Sequence, residues 1–471
     1  MRKKLVLLIV SFILCLPTFA ARKKKENSST KETAEVINAS NSQLKFNILT
    51  DSTAEVINDD SYWSLISIEV PEKVRIADNI FTVTSVGSKA FEGCQSLTSI
   101  EIPTSVTSIE NEAFSDCSSL TKINIPSSVK HIGEGAFFGC KSLADIEIPT
   151  KVTSLEYGVF EGCKNLTNIK IPDNITNIGS TAFYRCSSIK KIEIPSSVTS
   201  IGNGAFYGCD ELKSITVDPN NTNYSSEDGV LYNKDKTEII VVPEAIKGKF
   251  TIPSSVIDIN KGAFARCRNL KNIEIPSSVN AIGDFAFSDC EGLTNITIPS
   301  SVSKIGDYAF STCKNLASIV IPSSVTSIGD WVFSHCYNLT NIDLPSSITS
   351  IGDWAFANCE VLANIKIPSN VTSLGDRAFF HCYSLTSINI PSNVAKIGNS
   401  AFETCTNMTS IEIPSSVVNI GEKAFYDCKN LKIVIDNTKN NLKIGNDAFH
   451  ECESVTYTKD ATESTRSTEQ Q

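Results

Sequence analysis

Apart from Cys15, the cysteines recur at 94, 117, 140, 163, 186 and 209, then 267, 290, 313, 336, 359, 382, 405 and 428, and finally 452. A thiol can cross-link, bind zinc or attack an electrophile, and each use demands its own geometry. In an exported chain the first reading is a disulfide framework. Fifteen is odd, however, and a constant 23-residue step sets these cysteines in one line on one inward face. Parallel side chains about 5 Å apart fit the disulfide torsion poorly, so the spacing predicts free thiols packed as small hydrophobes. A line also denies zinc its four converging ligands. His131, His335, His381 and His450 occupy variable positions, the middle pair two repeats and about 10 Å apart on strand spacing. No metal site and no cofactor is expected. The Ser-Ser pairs after Pro126, Pro195 and Pro276 repeat as turn residues, and no nucleophile, base and orienting group converge. The chain reads as a non-enzyme without catalytic residues.

Two variable columns carry more specific chemistry. The position before each Ala-Phe or Val-Phe pair holds Phe285, Tyr308, Trp331 and Trp354 in four consecutive repeats, including two of the three tryptophans. In register these rings form an aromatic stripe, read either as a ligand-contact surface or as side chains that cover one another and stabilise an edge. Before each ring stands an aspartate: Asp284, Asp307, Asp330 and Asp353, with Asp376 following before Arg377. Like charges about 5 Å apart repel by roughly 0.8 kcal/mol per pair at the dielectric of water. An offset is required: each aspartate caps its own helical turn, or the row holds a cation such as calcium. The outward strand positions, such as Thr98, Ser99 and Glu101, make a polar face suited to an extended protein or a glycan.

The elements that position these columns follow from the repeat itself. Around each cysteine one frame returns, Leu-x-x-Ile-x-Ile-Pro followed by Val-x-x-Ile-Gly and Ala-Phe. A single unit cannot bury its apolar face, so fixed self-similarity means a stack. Ile100 and Ile102 alternate as a short strand that Pro103 stops. Phe114, Cys117 and Leu120 lie three apart, as on one face of a helical or 3-10 turn. The expected fold is a repeat solenoid, a leucine-rich-repeat right-handed coil with short parallel β-strands and short helical or 3-10 turns in each 23-residue repeat.

Residues 1–20 read as a signal peptide, with Arg2, Lys3 and Lys4 before an apolar run too short to span a bilayer. Thr18 and Ala20 suit cleavage after Ala20; Cys15 offers a lipid anchor instead, opposed by the bulky Leu14 before it. Cleavage takes the formal charge from −10 to −13, which argues against nucleic acid as the main partner. No second hydrophobic span follows, so no transmembrane helix is expected in the mature chain. The organisation reads as a disordered polar linker at 21–44, an N-terminal capping β-hairpin region at 45–86, and a first repeat block at 87–209. A β-hairpin insertion at 210–252, a second block with its cap at 253–457, and a disordered tail at 458–471 complete it. The string TAEVIN occurs twice, at Thr33–Asn38 and Thr53–Asn58.

Leu166–Cys186 (LTNIKIPDNITNIGSTAFYRC) and Leu362–Cys382 (LANIKIPSNVTSLGDRAFFHC) resemble the repeats of the BspA-like, or Treponema pallidum-type, leucine-rich repeat family over about residues 60–457. The Asp228–Pro243 segment resembles a recurring feature of that family. The resemblance implies a secreted or cell-surface, virulence-associated adhesin that binds protein, with fibronectin, fibrinogen or another matrix protein as candidate partners. The alternative is a structural, self-associating envelope protein without a specific host ligand; the oligomeric state stays open.

Overall fold

The computed structural model describes residues 34–37 and 43–459. The expected signal peptide 1–20 with Cys15, and most of the linker 21–44 and tail 458–471, lie outside the described residues. The chain winds into a β-solenoid in which each repeat supplies one rung to each of three ladders.

The Ile-x-Ile segments make the first ladder. Ile68 lies opposite Ile100, and Ile100 opposite Ile123, all in parallel register. Each strand buries its isoleucine and exposes its flanks, as period-two geometry requires. The Val-x-x-Ile segments make the second, with Ile109 opposite Ile132 and Ile328 opposite Ile351. Between ladders, the valine amide after each proline turn closes back on the proline carbonyl, as in Val106 to Pro103 at 3.1 Å. The second serine of the Ser-Ser pairs within each block donates to the previous turn, as Ser128 Oγ does to the Val106 carbonyl and Ser301 Oγ to the Val279 carbonyl, both at 2.6 Å.

The third ladder replaces the expected helical turn. Bonds between residues three apart are present, such as Ala90 N–H to Gly87 O at 3.1 Å and Cys94 N–H to Phe91 O at 3.2 Å. They do not propagate, because two residues per turn adopt the left-handed conformation: Glu112 (φ 56°) and Asp116 (φ 55°), or Trp331 (φ 58°) and His335 (φ 59°). Each left-handed residue swings alternate amides along the stack. Lys89, Phe91 and Gly93 therefore donate to the carbonyls of Asn111, Ala113 and Ser115 at 2.8–2.9 Å. Among the described residues, the 3-10 helices are Asp60–Ser64 and Lys439–Asn441, both outside the repeat frame.

Inside, the phenylalanines stack ring on ring, with Phe114 and Phe137 5.4 Å apart at 5° and Phe310 and Phe333 5.7 Å apart at 4°. Tilted rings begin each column, Tyr62 against Phe91 and Phe250 against Phe264. The cysteines point into the same core, unpaired. Within each block the thiol of one turn donates to the phenylalanine carbonyl of the preceding turn, as Cys313 does to Phe287 at 3.1 Å and Cys336 to Phe310 at 3.2 Å, whereas Cys267, after the insertion, faces the Val242 and Pro243 carbonyls.

Three elements depart from the sequence reading. Ala34–Ile37, placed in the linker, pairs antiparallel with Lys73–Ile76. Within the region 45–86 read as a capping hairpin, Ser67–Glu69 instead starts the first ladder, and the hairpin runs from Lys73–Ile76 to Asn79–Val86. The insertion has a third strand, Tyr224–Glu227, antiparallel to Val230–Asn233, which in turn pairs with Glu238–Val241.

The insertion interrupts the stack between Phe206 and Phe264, and polar groups clasp the seam. Glu244, buried at 6% exposure, accepts the Gly208 amide at 2.5 Å and Arg266 Nε at 3.2 Å. Arg266 and Arg268 both reach Asp210. Burial pushes the Glu244 carboxyl up to about 8, against the pull of Arg266 and the Gly208 amide.

Burial likewise pushes the Cys336 and Cys382 thiols up to about 12, and the half-buried Cys452 to about 11. Native protein treated with iodoacetamide at pH 8 should label Cys452 first, and denaturation without reductant should expose the remaining repeat thiols. Mass spectrometry showing only about one reactive thiol after denaturation would overturn this. Glu244→Ala should cost about 1–3 kcal/mol, because it leaves the buried Gly208 amide without an acceptor while Arg266 keeps Asp210. Loss of exchange protection at the Gly208 amide, read by hydrogen exchange, is the local signature.

Candidate functional site

The residue before each Ala-Phe or Val-Phe pair is the first left-handed residue of its turn. Glycine fills it at Gly135, Gly158, Gly204 and Gly262, where it costs nothing sterically. Phe285, Tyr308, Trp331 and Trp354 adopt the same conformation at φ 55–58°, at about 1–2 kcal/mol each for a side chain bearing Cβ. Their amides still serve the third ladder, as Trp331 does to the Asp353 carbonyl at 2.9 Å.

The four rings stack in sequence at centroid distances of 4.5, 5.4 and 4.4 Å, with interplanar angles of 8–12°. Such stacked pairs add about 0.5–1.5 kcal/mol each, which offsets part of the backbone strain. Cations close both ends: Lys261 Nζ lies 5.5 Å from the Phe285 ring and the Arg377 guanidinium 4.7 Å from Trp354. All four rings are half-buried. Their faces are spent on one another, and their edges form the surface.

Sequence reasoning missed how the column widens. Phe380 lies 5.5 Å from Trp354, His381 stacks on Phe380 at 3.7 Å, and Tyr383 follows at 5.3 Å. His335 is held by Ser334 Oγ at Nδ1 (2.8 Å) and by Asn358 Nδ2 at Nε2 (3.2 Å). Burial lowers the pKa of both histidines, so the patch presents neutral imidazoles. The signal was available: His335, Asn358 and His381 share the second left-handed position of successive turns.

The aspartates do accept backbone amides, but not those of their own turns. Asp284, Asp307, Asp330 and Asp353 each give Oδ1 to the amide of the next aspartate along the stack, at 3.2, 2.9, 2.8 and 2.7 Å. Stacking supplies the donor, so the cap runs between repeats. The glycine of each Ile-Gly makes room; a Cβ on Gly329 would meet Asp307 Oδ1 at 2.3 Å. Among the described residues, no group of three or more His, Cys, Asp or Glu side chains is placed to hold a metal ion.

Burial, with the Asp353 and Asp307 carboxylates, raises the Asp330 carboxyl above its ordinary range, opposed by the Asp353 amide. The folded state therefore binds that proton more tightly than the unfolded chain, and this contribution to stability falls as pH rises through the carboxylate range. Asparagine can make the same bond, as Asn111 does to Glu134 and Asn399 to Glu422, both at 2.9 Å. Asp330→Asn should leave thermal stability at pH 7 equal or higher, whereas Asp330→Ala should lose about 1 kcal/mol. Equal melting curves for the two variants would refute the ladder role.

A profile of the BspA-type leucine-rich repeat region, in six copies, matches residues 55–190, 132–248, 247–360 and 327–456. No curated protein matches the chain. Among solved structures, a leucine-rich cell surface protein of Faecalibacterium prausnitzii is 29% identical, with a TM-score of 0.53 over 79% of this chain and 93% of that one. A leucine-rich repeat protein of Eubacterium ventriosum is 28% identical, with a TM-score of 0.50 over 73% and 94%. The pneumococcal vaccine antigen PcpA, at 20% identity and a TM-score of 0.51 over 86% and 95%, is similar in fold. The chain belongs to the BspA-type leucine-rich repeat family.

Proposed function

We propose that this protein is a cell-surface or secreted module that binds another protein through the aromatic column Phe285–Trp354 and its extension to Phe380 and His381. One observation carries the reading. Four successive large rings occupy left-handed positions that glycine fills elsewhere in the same chain, so the fold itself does not require them. A contiguous aromatic surface flanked by a row of aspartates offers anchoring rings with a charged border, the composition of an interface centre and rim. The similarity to a bacterial cell surface protein supports display outside the cell, and among the described residues no helix is long and apolar enough to cross a membrane. Extended matrix proteins such as fibronectin and fibrinogen are the partners of choice.

The competing reading is self-association along the envelope, favoured by the sheet strand Ser454–Tyr457 closing the first ladder as its last rung among the described residues. Immobilised fibronectin, fibrinogen and laminin, with albumin as control, test the first reading. Trp331→Ser with Trp354→Ser should weaken binding at least tenfold while circular dichroism retains the β-spectrum. Unchanged binding would leave the column a stabilising edge, and no binding by the unmodified protein would count against adhesion. Concentration-dependent mass growth in light scattering would favour self-association.

A further inference from the structure

We propose that the cleft at the interruption of the solenoid is a second binding site, for a neutral carbohydrate of one or two sugar units. Its volume, about 590 Å³, lies within the range of small-ligand sites. It exists because the second ladder stops at Ser200–Ile201 and resumes at Glu238–Val241 and Asp258–Ile259, leaving the two repeat blocks facing each other across a gap.

Tyrosine dominates its wall, with Tyr157, Tyr184, Tyr207 and Tyr224 all lining the cleft. Two of these are tied at their polar tips. Tyr224 Oη accepts the Ile201 amide at 3.0 Å, and Tyr207 Oη donates to the Lys261 carbonyl at 3.2 Å. Gly262 is cut to fit the latter, since a Cβ there would lie 1.1 Å from Tyr207 Oη. With their hydroxyls engaged, these two residues offer ring carbon in a preformed arrangement, which reduces the ordering cost of binding. The negative faces of such rings attract polarised C–H groups, and a pyranose presents a patch of them.

The polar complement fits the hydroxyls around that patch. Asn260 Nδ2 donates to Glu238 Oε2 at 3.2 Å, so an amide and a carboxylate stand together on one wall. Asn203 is the more telling residue. It occupies the position of the aspartate ladder, where Asn111 and Asn399 cap the next turn, but no regular turn follows it. Its exposed side-chain amide makes no hydrogen bond among the described residues and lines the cleft. An amide both donates and accepts, as a sugar hydroxyl does.

Charge and backbone exclude other ligands. The lining holds one carboxylate, Glu238, and one ammonium, Lys261, so it provides no excess of cations for a phosphate or an acidic glycan. An extended peptide would add to the open rung, yet the Ile201 amide is already taken by Tyr224, which blocks strand addition there.

The test uses the exported chain on an array of neutral, sialylated and sulfated oligosaccharides, followed by calorimetry with the best neutral binder. Binding of at least one neutral oligosaccharide is expected, weakened at least tenfold by Asn203→Ala and by Tyr184→Ala without a change in melting temperature. Trp331→Ser should leave it intact, which separates this site from the aromatic column. The proposal falls if no neutral glycan binds, if acidic glycans or peptides alone bind, or if Asn203→Ala binds as well as the unmodified protein.

Discussion

Everything in this molecule depends on the amide that a repeat cannot satisfy by itself. Within a turn, two left-handed residues turn alternate N–H groups along the stacking axis, so that Phe310 can reach only the Val332 carbonyl of the next turn. A buried amide without a partner costs about 1–3 kcal/mol, and each turn carries several. Stacking is therefore the condition under which the repeat is a structure at all. The same dependence explains the cysteine. The phenylalanine carbonyl accepts the cysteine amide of its own turn and, from the next turn, the thiol proton. A thiol fills the narrow space, supplies one weak donor and, held far above its ordinary pKa by burial, stays inert.

How much of this the sequence discloses depends on whether a signal is local. The Ile-x-Ile strands were legible because alternation is a property of three residues, and the free thiols because a constant register cannot converge. The third ladder was not legible from Phe114, Cys117 and Leu120, whose spacing suits a helical turn equally well. The decisive clue lay elsewhere, in glycines at 135, 158 and 204 and again at 139, 162 and 208, two columns that mark left-handed backbone. The aspartate caps were half legible: residue type announces an amide acceptor, but the donor stands 23 residues away. In the insertion, the Asp228-Gly229 pair was a hairpin turn with positive φ at both residues, which implies the strand before it. The repeated TAEVIN string now has a structural place, since Ala34–Ile37 and Thr53–Ile57 are strands of one sheet.

A solenoid that spends its recurring residues on its own cohesion leaves specificity to whatever departs from the frame. The two candidate surfaces illustrate different departures. The aromatic column changes only a side chain; its amides stay in the ladder, its rings recover part of the strain by stacking, and Lys261 and Arg377 close its ends. Such a surface can spread or shrink by single substitutions without disturbing the stack. The cleft changes the backbone, and its cost shows in the repairs around it. Tyr224 Oη takes an amide left by the missing rung, and Glu244 takes another, held in place by Arg266.

Those repairs also explain why a cleft opens at such a break. Where turns follow one another regularly, the aspartates and asparagines of that column are committed to the next amide. The insertion frees Asn203 from that duty and brings Tyr207 and Lys261 to the wall of the opening, where Lys261 still covers Phe285. The clasp at Glu244 ties Gly208 of one block to Arg266 of the other beside the opening, so the group that compensates for the break also joins its two sides.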